Sequence, residues 1–137
     1  MQITKNFSLE ELISSTTARK KGIKNFPGIS EINSLERLCL TILQPVRDKF
    51  GEPIIVTSGF RGPQLNKAVG GSPTSQHIKG EAADITSKDN KTLWKLINSM
   101  IENKEIQVGQ LIDEHRLKWI HISLPSPKHI NKILLDN

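Results

Sequence analysis

The chain has 137 residues, room for one domain around one modest core. With 36% hydrophobic and 24% charged residues it has a globular composition, which excludes a disordered chain, and no apolar run approaches the roughly 18 residues of a membrane span. The net charge of +5 points to an anionic partner: nucleic acid, a membrane surface or an anionic cell wall.

Met1 to Lys5 lack the apolar segment of a secretory leader, so synthesis in the cytoplasm is expected. Ser8 with Glu11 three residues on forms a capping box, and Phe7 and Leu12 are spaced for a hydrophobic staple. This predicts a helix to about Lys20, stopped at Gly22. The longest basic run, Arg19-Lys20-Lys21, lies at its end. The other cations are scattered and do not alternate with aromatics, which disfavours a nucleic-acid groove.

A second helix is predicted over Ser30 to Phe50, with Ile32, Leu35, Leu38, Cys39, Ile42, Val46 and Phe50 at helical spacing. Pro45 is expected to kink it and Gly51 to end it. Cys39, the lone cysteine, falls on the apolar stripe and reads as a buried small hydrophobe. A single cysteine excludes an internal disulfide and a multi-cysteine zinc site.

Pro53 to Thr57 reads as a strand. Ser58 to Gly80 is rich in Gly, Pro, Ser and Asn, with a short helical turn at Gln64–Val69. Glu81–Thr86 is a further strand. Asp89 or Asn90 caps a helix with Leu93, Trp94, Leu96, Ile97, Met100 and Ile101 on its core face. Strands at about Ile106–Glu114 and Lys118–Leu124 flank a short hairpin loop, His115-Arg-Leu. The tail ends in a weak apolar turn, Ile130–Leu135. Helices precede strands, so the expected fold is a single α+β domain over residues 1–137, with N-terminal helices and a small, mostly antiparallel sheet.

With no tyrosine in the chain, the chemistry turns on four histidines. Ser75-Gln-His77-Ile-Lys-Gly80-Glu-Ala82-Ala-Asp84 places a histidine at the end of the long loop and an aspartate on the next strand. The small residues between them allow a close fold-back. In Trp119-Ile-His121-Ile-Ser123, alternation puts Trp119, His121 and Ser123 on one face and the isoleucines on the other. Two histidines and an aspartate suit a divalent metal, with a coordination position left for water. The competing reading is a surface His77, a core-edge His121 and a turn-capping Asp84. His115 and His129 read as surface residues, and Glu81 as structural.

Ser-x-His-x-x-Gly-x-Ala-x-Asp followed by Trp-x-His resembles the M15 family of zinc peptidases, which includes D-Ala-D-Ala carboxypeptidases and peptidoglycan endopeptidases. Val56–Arg61, Leu65-Asn66, Val69–His77, Gln110-Leu-Ile, Phe7–Leu12 and Leu43–Arg47 are similar to the small phage and prophage members. The resemblance implies a hedgehog/D-Ala-D-Ala-peptidase-like fold and Zn²⁺ held by His77, Asp84 and His121. It also implies that Arg61 grips a substrate carboxylate or the oxyanion, with Ser75, Gln110 and Trp119 at the substrate. Many relatives carry an acid three residues before the last histidine. Here Lys118 stands there, so the general base passes to Glu114, which shares a face with Gln110 and Ile112, or else to Asp113.

The expected partner is a peptidoglycan stem peptide, with neither nucleic acid nor membrane engaged. The chain is expected to be a monomer that reaches the wall after phage-type release or on a virion. The alternative is a zinc-bearing structural or wall-binding module without catalysis.

Overall fold

The computed structural model of the protein describes residues 1–135, so the last two positions of the expected domain, 136 and 137, lie outside the described residues. An unforeseen antiparallel ribbon opens it, β1 (Gln2–Thr4) with β2 (Phe7–Ser8). Ser8 Oγ accepts the Glu11 N–H and the Glu11 carboxylate accepts the Ser8 N–H, so α1 (Leu9–Ile13) begins at the predicted cap. Phe7 and Leu12, the staple pair, are fully buried.

The predicted helix to Lys20 is in fact two. Ser14 is extended (ψ 138°), and Ser15 caps α2 (Thr16–Lys21) by accepting the Ala18 N–H. Two adjacent serines compete for backbone donors, which breaks the run. Gly22 closes α2 in the left-handed region, as expected.

The second predicted helix starts one residue early as α3 (Ile29–Leu38) and ends as α4 (Gln44–Phe50). Between them, Cys39–Leu43 form a π turn in which the Gln44 N–H reaches back to the Cys39 carbonyl. The expected kink at Pro45 is therefore taken up one turn earlier. Pro45 has no N–H for the Thr41 carbonyl and its ring crowds it, and the wider turn relieves both.

Cys39 is fully buried, and burial together with the charge of Glu11 pushes its thiol up to about 12 from 9.0. The unfolded thiol ionises at its ordinary value, while the folded one keeps its proton until about pH 12. Its contribution is therefore complete below pH 9.0 and is lost as pH rises through that window. Denaturant midpoints should fall more steeply above pH 9 in the parent than in Cys39→Ala.

The strand after α4 begins later than predicted, as β3 (Ile55–Ser58). The long loop carries α5 (Pro63–Ala68) and a 3₁₀ helix (Gln76–Lys79) before β4 (Ala82–Thr86). Asp89 caps α6 (Asn90–Glu102), which buries Leu93, Ile97, Met100 and Ile101, while Trp94 and Leu96 are half-buried. β5 (Gln110–Glu114) and β6 (Trp119–Ser123) form the predicted hairpin, although the first strand begins beyond Gly109. The tail is a strand, β7 (Lys132–Leu135), and not a turn.

The main sheet has the order β3-β4-β6-β5-β7, with only β5 and β7 parallel. The register Asp84↔His121↔Ile112 lines up three strands. Alternation then sends Ala83, Ile85, Leu111, Ile120 and Ile122 to the other face, where they join Leu35, Leu38, Ile42, Leu93 and Ile97 in one hydrophobic core. Helices α3 and α6 thus cover one face of the sheet, while the face bearing Asp84 and His121 meets the short 3₁₀ helix and opens into a cleft. Among the described residues no helix is long and apolar enough to cross a membrane.

Candidate metal centre

Three elements converge on the open face. The 3₁₀ helix presents His77, β4 presents Asp84 and β6 presents His121. Ser75 caps that 3₁₀ helix, its Oγ accepting the His77 N–H at 3.2 Å, and Gly80 ends it in the left-handed region. The His77 carbonyl takes the Arg61 N–H at 3.1 Å, which ties the loop to the segment after β3.

The His77 side chain is buried, and its Nδ1 lies 2.7 Å from the Gly59 carbonyl. A carbonyl only accepts, so Nδ1 donates to it, which leaves Nε2 as the ring nitrogen turned toward Asp84. That Nε2 lies 3.3 Å from Asp84 Oδ1, and His121 Nδ1 lies 3.1 Å from the same oxygen. Burial pushes the Asp84 carboxyl up, but the hydrogen bonds and charge of His121 and His77 outweigh it and hold the group well below the usual carboxylate range.

The donor set fits a divalent metal. Neighbouring ligand atoms around a tetrahedral ion with bonds of about 2.0–2.1 Å lie about 3.3 Å apart. Both Asp84 pairs are close to that spacing, and all three donors lie within 4.8 Å of one another. The Gly59 carbonyl supplies the outer hydrogen bond that orients a ligating imidazole.

Beside the cluster is a cleft of about 270 Å³ lined by Ser14, Thr17, Ser58, Arg61, Leu65 and Asp84 among others. Arg61 is half-buried, and its Nε is buried without a partner among the described residues. Burial lowers the guanidinium pKa and the Asp84 charge partly restores it. The cation remains charged at neutral pH, with donors free for an anionic group.

Glu114 pairs with Trp119 in the register next to His121, so its side chain rises from the open face. Asp113 opposes Ile120 on the other face, and its Oδ1 accepts the Leu117 N–H at 2.6 Å. That bond pins a turn in which His115, Arg116 and Leu117 are all left-handed, a costly conformation for residues with side chains. The connection thus runs over four residues, 115–118, one more than expected. Trp119 stacks against His115 with ring centroids 4.7 Å apart. Gln110 begins β5 on the open face, its N–H bonded to Ser123 Oγ.

His129 departs from the surface reading, being half-buried with its Nδ1 enclosed. The sequence reading also missed Gly59 as the acceptor for His77 and the hydroxyl wall at Ser14 and Thr17. Gly59 lies within the motif Val56–Arg61, but nothing local marks its carbonyl. The wall residues are distant in sequence from every ligand and carried no signal.

An α+β domain with a buried histidine, a half-buried aspartate and a half-buried histidine clustered beside an open, arginine-bearing cleft has the arrangement of a metallohydrolase. The sequence profile of the Peptidase M15 family matches residues 5–123, and the chain belongs to that family. No curated protein matches it.

Proposed function

We propose that the protein is a zinc-dependent peptidase that cuts a peptide bond in the stem peptides of bacterial peptidoglycan. The observation that carries this reading is the Asp84 carboxylate held between His77 and His121 on the open face of the sheet. Zinc held by these three residues would polarise a scissile carbonyl and make a water acidic enough to attack it near neutral pH.

The chain's own residues supply the rest. The Glu114 carboxylate takes the proton of the attacking water and passes it to the leaving amine as the C–N bond breaks. Arg61 offers a planar fork to the oxyanion that develops on the carbonyl or to a substrate carboxylate. Ser75 holds the His77 loop, and Gln110 and Trp119 line the face along which the peptide lies. A D-Ala-D-Ala carboxypeptidase and an endopeptidase of the L-Ala-D-Glu type use the same parts. Arg61 serves as the grip for a terminal carboxylate in the first case and stabilises the oxyanion in the second. The setting we favour is action on the wall by a monomer after phage-type release.

The test is incubation of zinc-loaded protein with sacculi, reading new amine ends by mass spectrometry. The mass of the products identifies the bond cut. Glu114→Gln should lower the rate about 10²- to 10⁴-fold with zinc content unchanged. Asp113→Asn should act mainly on stability, because Asp113 holds the turn. Lys118, standing where many relatives carry an acid, favours the second reading, a zinc-bearing wall-binding module. Full zinc content without cleavage of any wall preparation decides for the module.

A further inference from the structure

Residues 19–30 hold four cations, Arg19, Lys20, Lys21 and Lys24, and no acidic residue. All four are exposed. The same stretch carries Phe26, 75% exposed, and Ile29, 80% exposed, the two most exposed large apolar side chains among the described residues. Exposed hydrophobics on a mobile loop would mean little, but this loop is tied down on both sides of Phe26. The buried Asn25 side chain donates to the carbonyls of Ile13 (2.8 Å) and Phe60 (3.0 Å) and accepts the Gly62 N–H (2.8 Å). The Gly28 N–H donates to Glu31 Oε1 at 3.1 Å. Gly22 and Ile23 close α2 with bonds to the Arg19 and Ala18 carbonyls.

The surroundings add to the positive charge. α5, packed on α2, carries exposed Lys67, and the 3₁₀ helix packed on α3 carries exposed Lys79. The nearest acids in sequence are Glu31, engaged in the Gly28 cap, and Glu36, further along α3.

Cations alone would suit any polyanion. A rigidly held Phe and Ile on a segment with four exposed cations and no acid of its own, the neighbouring Glu31 being engaged at the Gly28 N–H, suit an interface that is anionic outside and apolar just beneath. We propose, against the sequence expectation that no membrane is engaged, that the segment 19–30, from the end of α2 to the start of α3, docks the protein on an anionic phospholipid surface, the lysines at the headgroups and Phe26 and Ile29 at the acyl boundary. The Asn25 bonds join this loop to the segment bearing Arg61, and α2 joins it to the cleft wall at Ser14 and Thr17. Docking therefore holds the cleft close to the bilayer. The inference stands whether or not the peptidase reading above is right.

The test is co-sedimentation of the full chain with vesicles of phosphatidylcholine alone and of phosphatidylcholine with phosphatidylglycerol in equal parts. Binding is expected only to the anionic vesicles and should weaken with salt. Lys20→Gln and Lys21→Gln should each weaken it about fivefold. The double variant Phe26→Ser/Ile29→Ser should weaken it about tenfold or more. Both positions are on the surface, so metal content and thermal transition should be unchanged, which separates docking from folding. Absence of binding to anionic vesicles overturns the proposal. So does binding that is indifferent to Phe26 and Ile29, or duplex DNA held as tightly as the vesicles, because either result reduces the patch to bare polyanion attraction.

Discussion

Asp84→Asn is expected to leave the protein folded but without bound metal, and to lower hydrolysis at least about a thousandfold. The size of the effect follows from the position of one oxygen. Asp84 Oδ1 lies 3.3 Å from His77 Nε2 and 3.1 Å from His121 Nδ1, so a single carboxylate charge serves both histidines. The amide keeps the shape but offers a divalent ion neither charge nor a strong donor. Each histidine is also held from elsewhere, His77 by the Gly59 carbonyl and His121 by its place in β6. The fold should therefore survive. Elemental analysis of purified protein, with the rate on sacculi, checks both halves. A variant that kept a full equivalent of metal would remove Asp84 from the ligand set.

Gly59→Ala is expected to cost about 3 kcal/mol or more of stability and to weaken metal binding as well. The Gly59 backbone is not left-handed, so the penalty is purely steric. A Cβ built there would lie 2.2 Å from the Leu12 carbonyl oxygen, and that oxygen accepts the Phe60 N–H at 2.8 Å. Backbone on both sides leaves no flexible side chain to yield. Any shift of residue 59 also moves the carbonyl that holds His77 Nδ1. Gly70→Ala is the control. Gly70 has φ +75° but an open surround, so it should cost only about 1 kcal/mol, from conformation alone. Denaturant midpoints of the two variants separate clash from strain, and zinc titration of Gly59→Ala reads the effect on the site.

The parts of the fold legible in the sequence are those encoded within a few residues. The Ser8–Glu11 box, the Gly22 and Gly51 stops and the Asp89 cap each satisfy backbone groups close in sequence, so residue type and spacing suffice. The pairing of β5 with β6 as a hairpin, though not its full four-residue loop, and the face bearing Trp119, His121 and Ser123 follow from alternation and a short polar break. The misread elements are those that a distant partner decides. β7 exists because Ile133 and Leu134 pair in parallel with Leu111 and Ile112, which a six-residue apolar tail does not announce. The break between α1 and α2 depended on which serine won the local donors. The π turn needed a proline to act one turn upstream of itself.

The same division runs through the candidate site. By itself the sequence determined the donor types, two histidines and an aspartate, and the parity that puts Glu114 on one face with Gln110 and Ile112 and Asp113 on the opposite one. Both are properties of residue identity and of a two-residue period. Only the tertiary structure decided that the donors meet. Asp84 faces His121 because β4 and β6 pair in that register, and His77 joins them because the Gly59 carbonyl, eighteen residues earlier, takes its Nδ1 proton. It also decided where the net charge of +5 acts. Composition counts cations, but only packing shows that Arg19, Lys20, Lys21 and Lys24, and Phe26 and Ile29 after them, are all exposed on a segment anchored by a buried asparagine. Exposure and proximity arise from contacts between segments far apart in the chain, and no local pattern carries them.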